Sequence, residues 1–448
     1  MTDQTAVVDV GSVVDAHGIS LFGITAILLC ALAMITDGYG LYVLAYVIVP
    51  LAKHLGVSDA AMTPVVVSQF VGVAVGTYSL SPLADHIGRK TVMVSCLALL
   101  ALSTLLLPFM ETMTRLGILR FLSGVFVSGV IPNAIALASE IVPTYRRTTT
   151  VGVLYMGFSA GPTIAAAAAA ALLPIFGWTA LFFLGGAIPL LLAPLLAWLL
   201  PESLRFLVVQ HPDDPRIARI LGRIAPGFRS SGCPRYIISG ERQRKTEATV
   251  LFRDGRASIT LLLWAVFIVV GLNLSLLGAW LPTMMIAGGV PMSRAFVLAA
   301  IYGGGAICGA LAWSLLADLL RTSAGVLTIA LITATGALLA MPWSNLTGWQ
   351  GSLDMFVAGG SLVGAITLLS SLAATLYPTS IRAMGIGWSL GAHRVASIVG
   401  PVFGGMMLGA SWTLFGVSYA VVGITLAGVL GAGIIWSIAK DSPRVDAI

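Results

Sequence analysis

The sequence predicts an all-α membrane protein, with twelve transmembrane helices arranged as two six-helix halves around a central cavity. Three observations carry that expectation. The first is composition: 58% of the 448 residues are hydrophobic and only 9% are charged, with a mean hydropathy of +0.99. A soluble domain has roughly 25% charged residues, so a soluble fold is excluded. The second is the length of the apolar stretches. A spanning helix needs about 20 mostly apolar residues, and twelve such stretches follow one another. The third is an internal echo. Leu83-Ala84-Asp85 returns 233 residues later as Leu316-Ala317-Asp318, and Pro143-Thr144 with Arg147 returns 235 residues later as Pro378-Thr379 with Arg382. Two landmarks in one order at nearly one period mark a duplicated chain.

In chain order, residues 1–20 carry Asp3, Asp9 and Asp15 and no Lys or Arg. A secretory signal needs a basic start before its apolar stretch, so this segment is expected to be a cytoplasmic tail. The N-terminal half, 21–200, holds spans at about 21–45, 62–82, 91–109, 115–140, 150–172 and 178–200. The C-terminal half, 258–437, holds spans at about 258–281, 295–317, 323–342, 352–376, 383–407 and 412–437. The polar stretch Ser81–Lys90 is short, so it turns the chain between two antiparallel spans on one side of the membrane. Gly161-Pro162 and Gly400-Pro401 lie in the fifth span of each half. There a glycine and a missing backbone donor let a helix bend or pack closely.

Between the halves, 201–257 is a central cytoplasmic loop broken by five prolines, with a short amphipathic helix expected at Pro215–Ala225. Residues 438–448 form a cytoplasmic C-terminal tail. The 50 glycines suit closely packed membrane helices. Cys30, Cys96, Cys233 and Cys308 are far apart; no pair has metal or redox spacing, which makes them packing residues.

Charge placement gives the topology. Of the 24 Lys and Arg, 19 lie in loops on one side, in the 201–257 segment or in the C-terminal tail. Only Lys53, Arg115 and Arg294 lie on the other side, and Arg120 and Arg394 fall inside spans. The positive-inside rule then puts both termini and the central segment in the cytoplasm. The net charge of +6 reflects this topology, with some anionic lipid contact, and not a nucleic-acid partner. No Gly-x-x-x-x-Gly-Lys-Ser/Thr loop occurs, so ATP hydrolysis is not expected and the chain is not expected to be an enzyme.

Charges inside a membrane are costly and mark function. Asp37 lies about 24 Å along the first span and Arg120 about 7 Å into the fourth from its outer end, at 1.5 Å per residue. The two depths agree. An Asp37–Arg120 pair would be a proton site, whose carboxylate ionises against Arg120 and protonates when that partner moves. A permanent structural ion pair is the alternative. Arg394 lies near the midplane of the eleventh span with no acid near it on that helix. A substrate carboxylate is its natural partner, because the planar guanidinium fork matches one; Asp37 or backbone carbonyls are the alternatives. His393 sits beside it and adds a donor or a pH response.

Tyr39, Tyr302, Trp388 and Asn273 are the further substrate-binding candidates. Tyr42, Phe70, Tyr155, Phe158 and Trp280 are aromatics near the expected cavity, although most such aromatics face lipid or pack helices. Asp85, Arg89, Glu140, Arg146, Arg147 and Asp318 would form a cytoplasmic gate, through ion pairs that break and re-form; a solvated helix end is the alternative.

Twelve spans in two related halves resemble the major facilitator superfamily, an example of paired repeats. The loop carries the resemblance. Leu83, Ala84, Asp85, Gly88, Arg89 and Lys90 match the family's Gly-x-Leu-Ala-Asp-Arg-x-Gly-Arg-Lys pattern, with Ser81 for its glycine and His86 for its first arginine. Within that superfamily the chain is similar to the aromatic acid:proton symporters. The similarity rests on Asp37-Gly38, on Arg120–Gly124 with Pro132-Asn133-Ala134 and Ser139-Glu140, on Pro201-Glu202-Ser203 with Arg205-Phe206-Leu207, and on Tyr377-Pro378, Arg382, Gly385, Gly387-Trp388 and Arg394. Gly40 stands where that family has a second acid, and His393 where it has glycine.

The resemblance implies import of a benzoate-type acid with protons by alternating access. The proton would be the coupling ion, with no other cofactor, in a monomer in the inner (plasma) membrane. The alternative is a proton-coupled antiporter exporting drugs or metabolites, for which Gly400-Pro-Val-Phe-Gly-Gly405 offers a motif, though in the other half. A non-transporting sensor would need an extra domain that the sequence lacks.

Overall fold

The computed structural model describes residues 7–226, 235–237, 248–253, 256–377 and 381–441. Twelve long helices lie where the apolar runs predict them. In the N-terminal half they are α1 Leu21–Tyr42, α2 Thr63–Ile87, α3 Arg89–Leu106, α4 Met113–Glu140, α5 Arg147–Phe176 and α6 Thr179–Leu199. In the C-terminal half they are α7 Ala257–Ala287, α8 Met292–Leu320, α9 Ser323–Ala340, α10 Trp349–Leu376, α11 Arg382–Gly409 and α12 Leu414–Asp441. Eleven are long and apolar enough to cross a membrane. The other, α11, is as long, but its centre carries His393 and Arg394 and it holds seven glycines.

Side chains at the first turns set several helix ends. Ser20, Thr112 and Thr322 cap α1, α4 and α9, their hydroxyls accepting from the N–H of Gly23, Arg115 and Gly325 at 3.1, 3.4 and 3.2 Å. α1 stops at Tyr42, earlier than its apolar run. A 3₁₀ turn, Val43–Tyr46, and the helix Ile48–Leu55 follow, and Gly56 ends that helix at φ 67°.

The duplication is visible in the packing. α1 packs on α5 as α7 does on α11, and α2 packs on α4 as α8 does on α10. Gly72 and Gly124 bring α2 and α4 into backbone contact; Gly305 and Gly359 do the same for α8 and α10. The turn between α2 and α3 places Gly88 at φ 102°, and its counterpart 233 residues later, Arg321, takes φ 51°. The other landmark, Pro378-Thr379, lies outside the described residues. Gly88 has two reasons to be glycine, its backbone angles and the Glu202 carboxylate, which a Cβ would meet at 2.6 Å. Gly88→Ala is expected to cost about 1–3 kcal/mol, measured as a lower melting temperature in detergent.

The residues that join α2 to α3, α4 to α5 and α8 to α9 define the basic end of the bundle. Two hydrophobic clusters lie at this end, one in each half. The N-terminal cluster gathers Cys30, Met34, Cys96 and Ala134, and the C-terminal one Val266, Phe267, Leu331 and Leu368. A third cluster, at the opposite end, joins the halves: Tyr46, Val47, Ile48 and Met62 pack with Leu281, Met284, Phe296 and Met407. Cys30 and Cys96 are buried packing residues, as expected; Cys308 is exposed, and Cys233 lies outside the described residues.

The segments expected to be a tail and a loop are more ordered than the sequence suggests. Strand β1, Val7–Asp9, pairs in parallel with β2, Arg235–Ile237, and a helix follows at Val10–Asp15. The central segment holds the helices Leu204–Gln210 and Pro215–Ile224, the second where the sequence predicts it. Val10, Val14, Leu207, Ile217, Leu221, Ile224 and Tyr236 are buried in the N-terminal cluster, whereas Leu251 joins the C-terminal one. The 201–257 stretch is therefore divided between the two halves, because its apolar residues find cores on both sides.

Asp15 ties the tail to the bundle by accepting from Thr144 N at 2.6 Å and Thr144 Oγ1 at 3.0 Å. The Thr144 N–H holds the Asp15 carboxyl below its ordinary value of 3.8, aided by the Thr144 hydroxyl and the nearby Arg147 charge against a smaller effect of burial. A depressed carboxylate stabilises above its unfolded value and loses that contribution as pH falls through its folded one. The protection of the Val7–Asp15 amides, relative to their intrinsic exchange at each pH, is expected to hold at neutral pH and to fall only below about pH 3.8. Asp15→Asn is expected to remove this acid dependence.

Candidate functional site

Contacts between the halves gather at the end opposite the basic one, while nearer the basic end Arg394 and the aromatic Tyr155 and Tyr78 are exposed. Closure rests on contacts across the halves. The rings of Tyr46 and Phe296 meet edge to face at 6.1 Å. Tyr42 lies against Gly278, Thr163 against Gly303 and Thr63 against Gly405. α5 lies along α8, and α2 along α11. These glycines face the other half, which sequence reasoning missed; their only signal was their placement within apolar helices.

Arg394 projects from α11 about 18 Å from its basic end, at 1.5 Å per residue. Its side chain is exposed and makes no hydrogen bond or ion pair among the described residues. The phenols of Tyr155 on α5 and Tyr78 on α2, both of the other half, are its electrostatic neighbours. They are 47% and 81% exposed. Tyr78 had no motif to single it out. Trp388, six residues nearer the basic end, is 49% exposed and stacks on Trp264 at 5.8 Å. On α8, Tyr302 has a buried hydroxyl with no partner and neighbours Tyr42 near the closed end.

Three substrate-binding candidates face elsewhere. Tyr39 donates to Leu181 O at 2.9 Å and fits against Gly185, so it locks α1 to α6. Asn273 donates to Val269 O at 3.1 Å and Thr425 Oγ1 at 3.2 Å, so it joins α7 to α12. His393 lies one residue, about 100° of helix turn, from Arg394. Its Nδ1 is buried and unpartnered against Gly271 of α7, where a Cβ would come within 2.6 Å. Of the other aromatics, Trp280 is fully buried and donates to Pro401 O at 2.9 Å, and Phe70 is buried in the cluster that closes the cavity. Phe158 packs against Gly38 through its backbone.

Asp37 is fully buried, and neither carboxylate oxygen has a partner. The expected pair with Arg120 is not formed. Arg120 instead binds Gln69 Oε1 and donates to Gly40 O at 3.3 Å and Leu41 O at 3.4 Å. The cause is the early end of α1. The last carbonyls of a helix lack intrahelical partners and carry partial negative charge, and a cation satisfies both needs. Gln69 also donates to Gly40 O, at 3.2 Å. At Gly40, where the resembled family has a second acid, a Cβ would face Leu100 of α3.

At the basic end, Arg89 pairs with Glu140 and lies 3.8 Å from Asp85. Glu140 also accepts from Ser203 Oγ at 2.7 Å and Arg205 N at 3.2 Å, and Glu202 from Lys90 N and Ser203 N at 2.9 Å each. All of these residues belong to the N-terminal half and its attached helix, so this cluster does not bridge the halves here. Two expected members stand apart: Arg146 lies over the Tyr145 ring, and Arg147 faces Asp15. Asp318 is exposed with no partner among the described residues. Its half lacks the other members, because the counterparts of Arg89 and Glu140 are Thr322, which caps α9, and Thr375.

Residues 28–350 match the family model described as Major Facilitator Superfamily. The chain belongs to the major facilitator superfamily. Its fold agrees with a solved bacterial homologue of the human lysosomal transporter Spinster, inward-facing and unoccupied, at TM-score 0.73 and 16% identity over 94% of this chain and 98% of that one. A gallate transporter of Pseudomonas putida is 31% identical over 404 residues, 90% of this chain and 89% of the relative. The 4-hydroxybenzoate transporter PcaK of Pseudomonas aeruginosa is 31% identical over 433 residues, 95% and 96% of the two chains. A benzoate transport protein of Acinetobacter baylyi is 29% identical over 435 residues, 95% and 91%. The superfamily assignment makes this chain a multi-pass membrane transporter and not an enzyme.

Proposed function

We propose that this major facilitator imports a small aromatic carboxylate together with protons, by alternating access. The observation that carries the proposal is the Arg394 guanidinium, exposed and without an ion pair among the described residues, with the phenols of Tyr155 and Tyr78 from the other half as its neighbours. A cation at the depth of a membrane span without a counter-ion is costly, and an arriving carboxylate supplies that counter-ion with two parallel hydrogen bonds. Tyr155, Tyr78 and Trp388 offer faces for the ring, and the unpartnered Tyr302 hydroxyl suits a polar ring substituent. Relatives that carry gallate, 4-hydroxybenzoate and benzoate support the substrate class.

Asp37 carries the proton. An ionised carboxylate with no partner is poorly tolerated in such a site, so the neutral form suits the arrangement described. When the halves rock, Arg120 or water reaches Asp37 and the proton leaves. The basic end faces the cytoplasm by the positive-inside rule, which makes this the inward-open state in the inner membrane, with both termini cytoplasmic. The Asp85–Arg89–Glu140 cluster then closes the cytoplasmic gate against the C-terminal half. The monomer suffices, and the proton is the only coupling partner.

Export by antiport draws little support from Gly400–Gly405. Gly400, Gly404 and Gly405 are taken up in packing against Ser275, Trp280 and Thr63. The test is uptake of radiolabelled benzoate, 4-hydroxybenzoate and gallate into proteoliposomes. Accumulation under an inward proton gradient, abolished by a protonophore, is the expected result. Failure to take up any aromatic acid would overturn the reading.

A further inference from the structure

A cavity lies away from the seam between the halves, at the edge of the basic end. It measures about 380 Å³ and is framed by the start of α3, the end of α6 and the helix Pro215–Ile224. Asp214 caps that helix by accepting from Arg216 N at 2.8 Å. Its sequence is amphipathic: Ile217, Ile220, Leu221 and Ile224 are buried against the N-terminal half, while Arg216, Arg219 and Arg223 point outward. The three arginines and Lys90 line the cavity, with Glu202 as its one acid.

The charges in it are largely uncommitted. Arg216 is paired with Asp214 at 2.7 Å. The Glu202 carboxylate is held by Lys90 N, Ser203 N and Thr91 Oγ1. Arg219, Arg223 and the Lys90 ammonium have no ion pair among the described residues. Arg223 lies over the Phe22 ring at 5.5 Å, which fixes it toward the bundle surface.

The surface beside the cavity is apolar and exposed. Trp198 is 82% exposed at the cavity rim, and Leu21, Leu191 and Leu195 are exposed on the adjoining helices. Tryptophan at the end of a spanning helix marks the headgroup level. The cavity therefore joins a cationic cluster, of which Arg216 alone has an ion pair among the described residues, to an exposed apolar surface.

We infer that this cavity binds the phosphate headgroup of an anionic phospholipid. The arginine forks and Lys90 take the phosphate oxygens, Trp198 packs on the glycerol and first acyl carbons, and the acyl chains run along α6. A free phosphate would gain nothing from the apolar wall. A zwitterionic choline headgroup would bring its own cation against Arg219 and Arg223. Basic residues near a membrane surface attract anionic lipid, and a shaped cavity adds selectivity to that attraction. The inference does not depend on the transported substrate.

The test uses the detergent-solubilised full chain and three additives: phosphatidylglycerol, phosphatidylcholine and inorganic phosphate. Melting temperature and native mass spectrometry report binding. Phosphatidylglycerol is expected to raise the melting temperature saturably and to remain bound, whereas phosphatidylcholine and phosphate do neither. The surface double variant Arg219→Gln/Arg223→Gln is expected to bind phosphatidylglycerol at least fivefold more weakly while melting normally without lipid. Trp198→Ala is expected to weaken phosphatidylglycerol binding as well. Equal responses of wild type and double variant would overturn the inference. So would stabilisation by phosphatidylcholine as strong as that by phosphatidylglycerol, or by phosphate at the same concentration, which would assign the cavity to a small soluble anion.

Discussion

Arg394→Ala is expected to remove aromatic acid uptake. Truncating one partner of a desolvated, hydrogen-bonded charge pair costs about 2–5 kcal/mol, or roughly 30-fold to several thousand-fold in affinity. The loss should appear in the concentration dependence of uptake and in ligand-induced thermal shift alike. Arg394→Lys keeps the charge but not the fork, so it is expected to recover only part of the loss. Recovery by lysine to the wild-type level would mean that Arg394 acts as a general positive field and not as a carboxylate anchor. Full retention of binding in Arg394→Ala would remove it from the site. Variants of Tyr39 and Asn273 serve as contrasts. Their polar atoms are committed to Leu181 and Thr425, so Tyr39→Phe and Asn273→Ala should change melting temperature more than substrate affinity.

Asp37→Asn is expected to separate transport from its driving force. One pH unit of gradient is worth about 1.4 kcal/mol, or tenfold accumulation for each coupled proton. With an amide at position 37 no proton is carried at that position. Uptake should then stop at equal concentrations on the two sides, while exchange of internal for external substrate continues. The substitution is nearly isosteric, and the Asp37 carboxyl has no hydrogen-bond partner to lose, so the fold should tolerate it. Accumulation as strong as in wild type would place the proton elsewhere. Arg120→Ala should behave differently. Arg120 holds the carbonyls that end α1, so its loss is expected to lower stability as well as transport.

The division between what was legible and what was not follows residue by residue. Arg394 stood out because a guanidinium in an apolar helix is rare and costly, and that cost is a local property. His393 and Asn273 stood out for the same reason. Yet whether a polar group faces a cavity or a neighbouring helix depends on the helix's rotation, and the low amphipathicity of these spans does not report it. His393 and Arg394 are adjacent in sequence and point different ways. The Asp37–Arg120 pair was sound in depth but not in chemistry. The early end of α1 created carbonyl acceptors that no residue type announces. Tyr78 was missed because a tyrosine in a spanning helix is ordinary; only the approach of α2 to α11 brings it near Arg394.

The sequence by itself determined the class, the twelve helices, the duplication and the charge asymmetry. Each of these depends on composition, run length or period, which are sums over neighbouring residues and need no knowledge of the fold. Only the tertiary structure decided which faces line the cavity, which end is closed, and that the tail and central segment are built into the two halves. Those features arise from contacts between residues far apart in the chain, such as Tyr46 with Phe296 or Val7–Asp9 with Arg235–Ile237. In a membrane helix nearly every face is apolar, so the pattern of hydrophobicity that orients a soluble helix is absent, and packing between helices sets the orientation instead.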